Sequence, residues 1–313
     1  MSTYIYIIDD LVFFFVGIVI LYLFVLAVAS HFKRIVYPKV EKKYHCAILV
    51  PEESPLPVIY REKFYEFFTY NDLHQGINTL DREHYQLVLI LSDTAISLSP
   101  LFLEKIYNAY DAGIQAIQLH TVIENRKGFC NRFRAICKEI KNSLFRAGNT
   151  QFGLSSNLSG TNIAIDLEWL QNNLRSSKTN IERKLFRKNV YIDYLPDAIV
   201  YCQSSPVHPY RRRLRKTASY FFPSLLEGNW NFCNRIVQHL IPSPLKMCIF
   251  VSVWTLLITG YNWALSIGWW LILFGLLVTY SLAIPDYLVE DKKKKHSIWR
   301  KRHLSNELKK NPV

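Results

Sequence analysis

The sequence predicts an α/β domain with a mostly parallel sheet, joined to transmembrane helices, one N-terminal and two C-terminal. Three observations carry this. Apolar stretches without charge lie towards both ends of the 313-residue chain. Between them, residues 42–203 alternate short β-rich runs with longer helical ones, the pattern of a three-layer α/β domain. The positive charge gathers beside the apolar stretches, as cytoplasmic flanks of membrane spans do.

The membrane elements come first. Leu11–Ser30 is uncharged and long enough for a hydrocarbon core roughly 30 Å thick. It exceeds the roughly 7–15 apolar residues of a signal peptide, has no small-residue cleavage site after it, and so reads as a retained anchor. Met247–Ile258 and Leu265–Ile284 form a hairpin around Gly260–Trp263, the first arm reaching span length with Leu245 and a snorkelling Lys246. Lys33, Arg34, Lys246, Lys292–Lys295 and Arg300–Arg302 flank the spans on one side. Asp9 and Asp10 sit in a short N-terminal tail, and the hairpin loop has no Lys or Arg. The positive-inside rule then puts the N-terminus outside a plasma or inner membrane, with the domain and C-terminus in the cytoplasm. Trp263, Trp269 and Trp270 are expected at the outer interface.

A net charge of +13 invites nucleic acid as a partner. Juxtamembrane placement of the densest runs, Tyr210–Lys216 and Lys292–Lys295, favours anionic lipid or a phosphorylated ligand instead, and no nucleic acid is expected. The six cysteines contain no CxxC pair and the nine histidines no metal-ligand spacing, which fits a reducing compartment.

Within the domain, strands are expected at Cys46–Val50, Val58–Tyr60, Gln86–Leu91, Ile114–His120, Ile163–Ile165, and the pair Ile192–Leu195 and Ala198–Tyr201. Helices are expected over Asn71–Leu80, Pro100–Ala112, Phe129–Arg146 and the segment containing Trp169, Leu170 and Leu174. Ligands of such sheets sit beyond the C-terminal strand ends. Residues 204–244 form a basic, aromatic segment that suits amphipathic helices in the interface, or packing beneath the domain. The expected organisation is an anchor at 1–34, the domain at 42–203, the interfacial segment at 204–244, the hairpin at 245–286 and a basic tail at 287–313.

Several stretches, in order, resemble the membrane-bound glycosyltransferases of family 2, which have a GT-A fold. They are Asp93–Leu103 (DTAISLSPLFL), Ala116-Ile117-Gln118, Asn142–Leu154 (NSLFRAGNTQFGL), Leu158–Ile165 (LSGTNIAI) and Tyr191–Tyr201 (YIDYLPDAIVY). The resemblance implies inverting transfer of a sugar from a nucleotide-sugar to a lipid-linked glycan or polysaccharide acceptor in cell-envelope synthesis. It implies Mg²⁺ or Mn²⁺ bound by Asp93, a diphosphate held by Asp93 and Arg213, an acceptor side formed by Gly160, Thr161 and Asn162, and Glu182 as candidate base.

The chain also departs from the family's pattern. The DxD position reads Asp93-Thr94-Ala95, with one carboxylate. The position of the acidic pair falls on Ser177 and Lys178, leaving only Glu182 nearby. The QxxRW position falls on Tyr210–Leu214, where Arg213 alone survives. The helical crossover after the first strand and a glycine loop near Phe68–Tyr70 are expected to be missing. Asp93 reads equally as a strand-end turn residue, Glu182 as a solvated helix-face carboxylate, and Arg213 as part of an anionic-lipid patch. A second function class therefore stands beside the enzyme: a catalytically inactive pseudo-glycosyltransferase serving as binding or scaffold subunit to a partner glycosyltransferase.

Overall fold

The computed structural model describes residues 2–32, 36–40, 42, 44–59, 64–174, 180–204, 219–285 and 288. Helix α1 (Ser2–Ala29) leads into the domain. There follow β1 (Cys46–Pro51), β2 (Tyr65–Tyr70), α2 (Leu73–Asn78), β3 (Leu87–Ile90), β4 (Ala95–Leu98), α3 (Phe102–Asp111), β5 (Ala116–Ile123) and α4 (Phe129–Asn142). A π-helical turn (Ser143–Gly148) and α5 (Asn149–Gln151) extend α4. Then come β6 (Ile163–Asp166), α6 (Leu167–Asn173), α7 (Ile181–Arg187) and β7 (Ile192–Cys202). After them come α8 (Phe221–Leu226), α9 (Trp230–Leu240), α10 (Pro244–Tyr261) and α11 (Trp263–Ala283).

The strands form one sheet in the order β2-β1-β3-β6-β5-β7-β4. The central strands β1, β3 and β5 are buried along nearly their whole length, which is why they read as unbroken apolar runs. One face packs Ile48, Leu89, Ile117 and Leu119 against Phe102 and Ile106 of α3. The other packs Leu49, Ile90 and Ile165 against Leu170, Leu185, Phe186 and Phe232 of α6, α7 and α9.

The mostly parallel sheet of the sequence expectation is a mixed one. β1 pairs parallel with β2 and β3, and β5 with β7, but β6 runs antiparallel to both its neighbours and β4 antiparallel to β7. Four of these strands, β1, β3, β5 and β7, still point the same way, as does the edge strand β2. Asp93 follows β3 and Gly160–Asn162 precedes β6, so both fall at the same edge, beyond the C-terminal ends of those four strands.

Other local expectations are corrected. Val58 makes only an isolated bridge with Ser97; the second strand is β2, an edge strand whose half-exposed pattern hid it. β1 and β2 are parallel neighbours, so the chain does cross over between them, and residues 52–59 of that connection hold no helix. Two apparent terminal strands are one, β7, which bulges at Pro196-Asp197 where its register against β5 shifts between Leu119 and His120. Proline has no N–H to give the ladder, so the strand bends there without ending.

Among the described residues, three helices are long and apolar enough to cross a membrane: Tyr6–Ala29, Pro244–Tyr261 and Trp263–Ala283. The first begins earlier than expected, because helix α1 runs through Asp9 and Asp10 instead of leaving them in a tail. Asp9 is buried, and its Oδ1 accepts from Trp254 Nε1 at 2.9 Å and Trp269 Nε1 at 3.0 Å, one indole from each of α10 and α11. Trp269, expected in an interfacial belt, is wholly buried among the three helices. Phe13 meets its ring edge-on at 5.5 Å. The bundle core continues into the domain, where Leu23, Leu26 and Ala27 of α1 pack with Ile140 of α4 and Leu144 of the π turn.

Candidate functional site

The strand ends are built around Asn162. This residue adopts a left-handed conformation (φ 56°) and is completely buried. Its carbonyl accepts from Leu119 N and Gln118 Nε2, both at 3.0 Å. Its Oδ1 accepts from Ser92 N at 2.9 Å, and its Nδ2 donates to Thr121 Oγ1 at 2.9 Å. Asn162 thus ties the end of β3 and the middle of β5 to the start of β6 and holds the residue before Asp93 in place. Asparagine is among the few non-glycine residues that accept such a backbone readily.

Asp93 itself is exposed. Behind it, Thr94 Oγ1 donates to Ser204 O at 3.2 Å and Thr94 O accepts from Gln203 N at 2.8 Å. The loop is fixed on both sides while its carboxylate faces outward. Gly160 is left-handed too (φ 82°) with open space where a Cβ would stand. Thr161 Oγ1 is buried without a hydrogen-bond partner. The structure therefore brings Asp93 and Gly160–Asn162 together, but Asn162 acts from within the fold and does not line the acceptor side with its side chain.

Glu182 stands in the first turn of α7. It is not solvated: its side chain is 14% exposed, and Oε1 lies 2.7 Å from Arg235 NH2 of α9 and accepts from Leu158 N at 3.2 Å. This ion pair clamps α7, α9 and the loop leading to Gly160. Arg213, Ser177 and Lys178 lie outside the described residues.

A buried polar network beside these residues left little sign in the sequence. Arg146 in the π turn donates from Nε to Asn157 O at 3.1 Å and from NH2 to Ser159 Oγ at 2.7 Å, and also bonds Asn142 Oδ1. Burial lowers its pKa. Gln118 Oε1 accepts from Ser159 N at 2.7 Å, so the loop before Gly160 is pinned from two sides. His120 bridges Pro196 O (3.0 Å) and Glu139 Oε2 (3.1 Å), joining the β7 bulge to α4. From Asn157 the network passes to Gln238 (2.7 Å) and on to Tyr22 of α1 (2.7 Å). One chain of hydrogen bonds links the loop before Gly160 to a residue of the long apolar helix α1.

Lys138 of α4 belongs to the same region. Its Nζ is sealed from solvent and has no hydrogen-bond partner among the described residues. Burial pulls its pKa down to about 8; the Cys202 thiol and Glu139 oppose this, while Arg146 adds to it. On the question of a metal, no group of three His, Cys, Asp or Glu side chains gathers among the described residues. A single outward carboxylate, Asp93, fits a cation that shares its coordination with ligand phosphates and water, as magnesium sites commonly do.

No curated protein sequence matches the chain. Among solved structures, a mannosyltransferase from Pyrobaculum calidifontis in complex with GDP-Man and Mn2+ is similar, at 14% identity and TM-score 0.48, covering 92% of this chain and 98% of that one. The family model described as glycosyl transferase family group 2 matches residues 87–282. This region runs from β3 into α11 and holds Asp93, Lys138, Gly160–Asn162 and Glu182. With well over half its length matched, including both strand-end segments, the chain belongs to glycosyl transferase family group 2.

Proposed function

We propose that the chain transfers a sugar, with inversion, from a nucleotide-sugar to a lipid-linked or polysaccharide acceptor at the cytoplasmic face of a plasma or inner membrane. The observation that supports this best is the pairing of Asp93 and Gly160–Asn162 at one sheet edge, on a domain packed directly against three apolar helices. Basic flanks favour an N-terminus outside and a domain inside. Exposed Phe222, Leu226 and Trp230 on α8 and α9, next to the arginine-rich segment, suit an interface with anionic lipid.

In this reading the acceptor hydroxyl attacks the anomeric carbon, the bond from that carbon to the diphosphate breaks, and a nucleoside diphosphate leaves. Asp93 would hold the Mg²⁺ or Mn²⁺ that offsets charge on the diphosphate, and Arg213 would bind the diphosphate. Gly160 leaves room for the acceptor beside the strand ends. Glu182 takes the acceptor proton only if its carboxylate parts from Arg235.

That last requirement, with the alanine at position 95, favours a second reading: a catalytically silent subunit that retains ligand binding or scaffolding beside a partner glycosyltransferase. Calorimetry of the full chain with UDP- and GDP-sugars and Mn²⁺, alongside Asp93→Ala, tests the donor site. Saturable binding that disappears in the variant supports a working donor site, and glycan product formed from the bound sugar then separates an enzyme from a binding subunit. Failure of every nucleotide-sugar to bind overturns the enzyme.

A further inference from the structure

Burying an ammonium without an acceptor is among the costlier arrangements a fold can contain. Lys138 is such a group, and its neighbourhood does not supply a partner. Glu182 is paired with Arg235 at 2.7 Å. Glu139 holds His120 and Asn142 at 3.1 and 3.2 Å. Arg146 spends its hydrogen bonds on the neutral oxygens of Asn142, Asn157 and Ser159. Among these groups Lys138, Arg146 and Arg235 carry three formal positive charges against two on Glu139 and Glu182, so the cluster has an excess cation.

The position of that cation is telling. α4 lies between the sheet, through Glu139 and His120, and the membrane bundle, through Ile140. The Cys202 thiol that bears on Lys138 sits 3.4 Å from Ser92 Oγ and 3.6 Å from Asn162 Nδ2, at the strand ends behind Asp93. Thr161 Oγ1, one of three further buried polar atoms without a partner among the described residues (the others are Asn157 Oδ1 and Arg235 Nε), borders the same strand ends. An unbalanced cation and an unused hydroxyl at the edge where β3 ends and β6 begins call for an anion with several acceptor oxygens.

We propose that Lys138 is a phosphoryl-binding residue, its ammonium held without a partner until a phosphate group enters between α4 and the strand ends. The proposal rests on the sugar-transfer reading only for the source of that group. A nucleoside diphosphate and a lipid phosphate share the required chemistry, and α4 touches both the domain and the bundle.

The full chain in lipid nanodiscs is titrated with UDP, GDP and inorganic pyrophosphate, and separately assayed for binding of phosphatidic acid against phosphatidylcholine. Wild type is compared with Lys138→Met and Lys138→Arg. The expected result is binding of at least one phosphoryl probe, weakened tenfold or more by Lys138→Met and less by Lys138→Arg. The ligand-free Lys138→Met protein should melt no lower than wild type, which a merely structural lysine would not allow. Loss confined to nucleotides and pyrophosphate places Lys138 on the donor side. Loss confined to phosphatidic acid places it on the lipid side and stands even where the donor reading fails. Equal binding by Lys138→Met and wild type, no binding of any probe by wild type, or a lower melting point for Lys138→Met overturns the proposal.

Discussion

Asp9 and Lys138 are both ionisable groups packed away from water, and the fold treats them in opposite ways. Asp9 receives an indole N–H from each of the other two long helices. Lys138 receives nothing. A satisfied polar group inside a bundle fixes which faces meet, because any slip leaves it unpaired. An unsatisfied one contributes no such order and lowers stability. The first therefore belongs to architecture, and the second makes sense only in the presence of something that binds it.

The sharpest way to break this contrast is Asp9→Ala. Two indole N–H groups lose their acceptor, and the loss is expected to be about 4 kcal/mol. Asp9→Asn keeps an oxygen in place and should cost about 1 kcal/mol. Unfolding of both proteins in mixed micelles measures the difference. Equal losses would show that charge, not acceptance, is what the bundle uses.

Lys138→Met should move the other way. Its folded-state pKa of about 8 lies below the unfolded value of 10.5, so the unfolded chain binds more protons between those limits. The destabilisation is complete below pH 8 and fades as pH rises towards 10.5. Removing the ammonium should therefore raise stability by about 3 kcal/mol at pH 7, with the gain shrinking above pH 8. Melting curves of variant and wild type across pH 6–10, a range chosen to bracket about 8, measure both features. A variant less stable than wild type throughout would mean that Lys138 is an ordinary pillar.

Glu182 lies between the two extremes, paired but partly accessible. Glu182→Gln keeps a hydrogen-bonding oxygen for Leu158 and Arg235 and should cost about 1–2 kcal/mol. If the carboxylate also serves as base, turnover should fall by roughly a hundredfold or more. Unchanged turnover would confine Glu182 to clamping α7 against α9.

How much of this was legible in the sequence differs from one residue to the next. The buried strands were plain because both their faces are covered, and Asp93 and Gly160–Asn162 stand together at the strand ends. The edge strand β2 (YEFFTY) was missed because one side of it remains wet and its pattern never settles into alternation. β4 drew no strand expectation, because Ser97 interrupts its short apolar run. Asp9 read as tail because charge normally marks the end of a span, and its indole partners are more than 240 residues away. Arg235 neutralises Glu182 from across 53 positions, and no local pattern announces such a pair. Lys138 was invisible for a different reason. In a helix rich in basic residues, the one that is buried looks like the ones that are not.

The contact between Gly148 and α1 has a consequence for how this protein can be taken apart. A Cβ on Gly148 would come within 2.5 Å of the Leu26 carbonyl oxygen, so the π turn and the helix touch backbone to backbone. A few residues away, Tyr22 is hydrogen-bonded to Asn234 and Gln238 at 2.7 Å each. The N-terminal helix is therefore shaped to this domain and cannot be exchanged for a generic anchor of equal length and hydropathy. A secretable version made by deleting it would bare Ile140, Leu144 and the glycine surface at once. Grafted helices should fail unless they also bring the tyrosine and the close-fitting turn around Leu26.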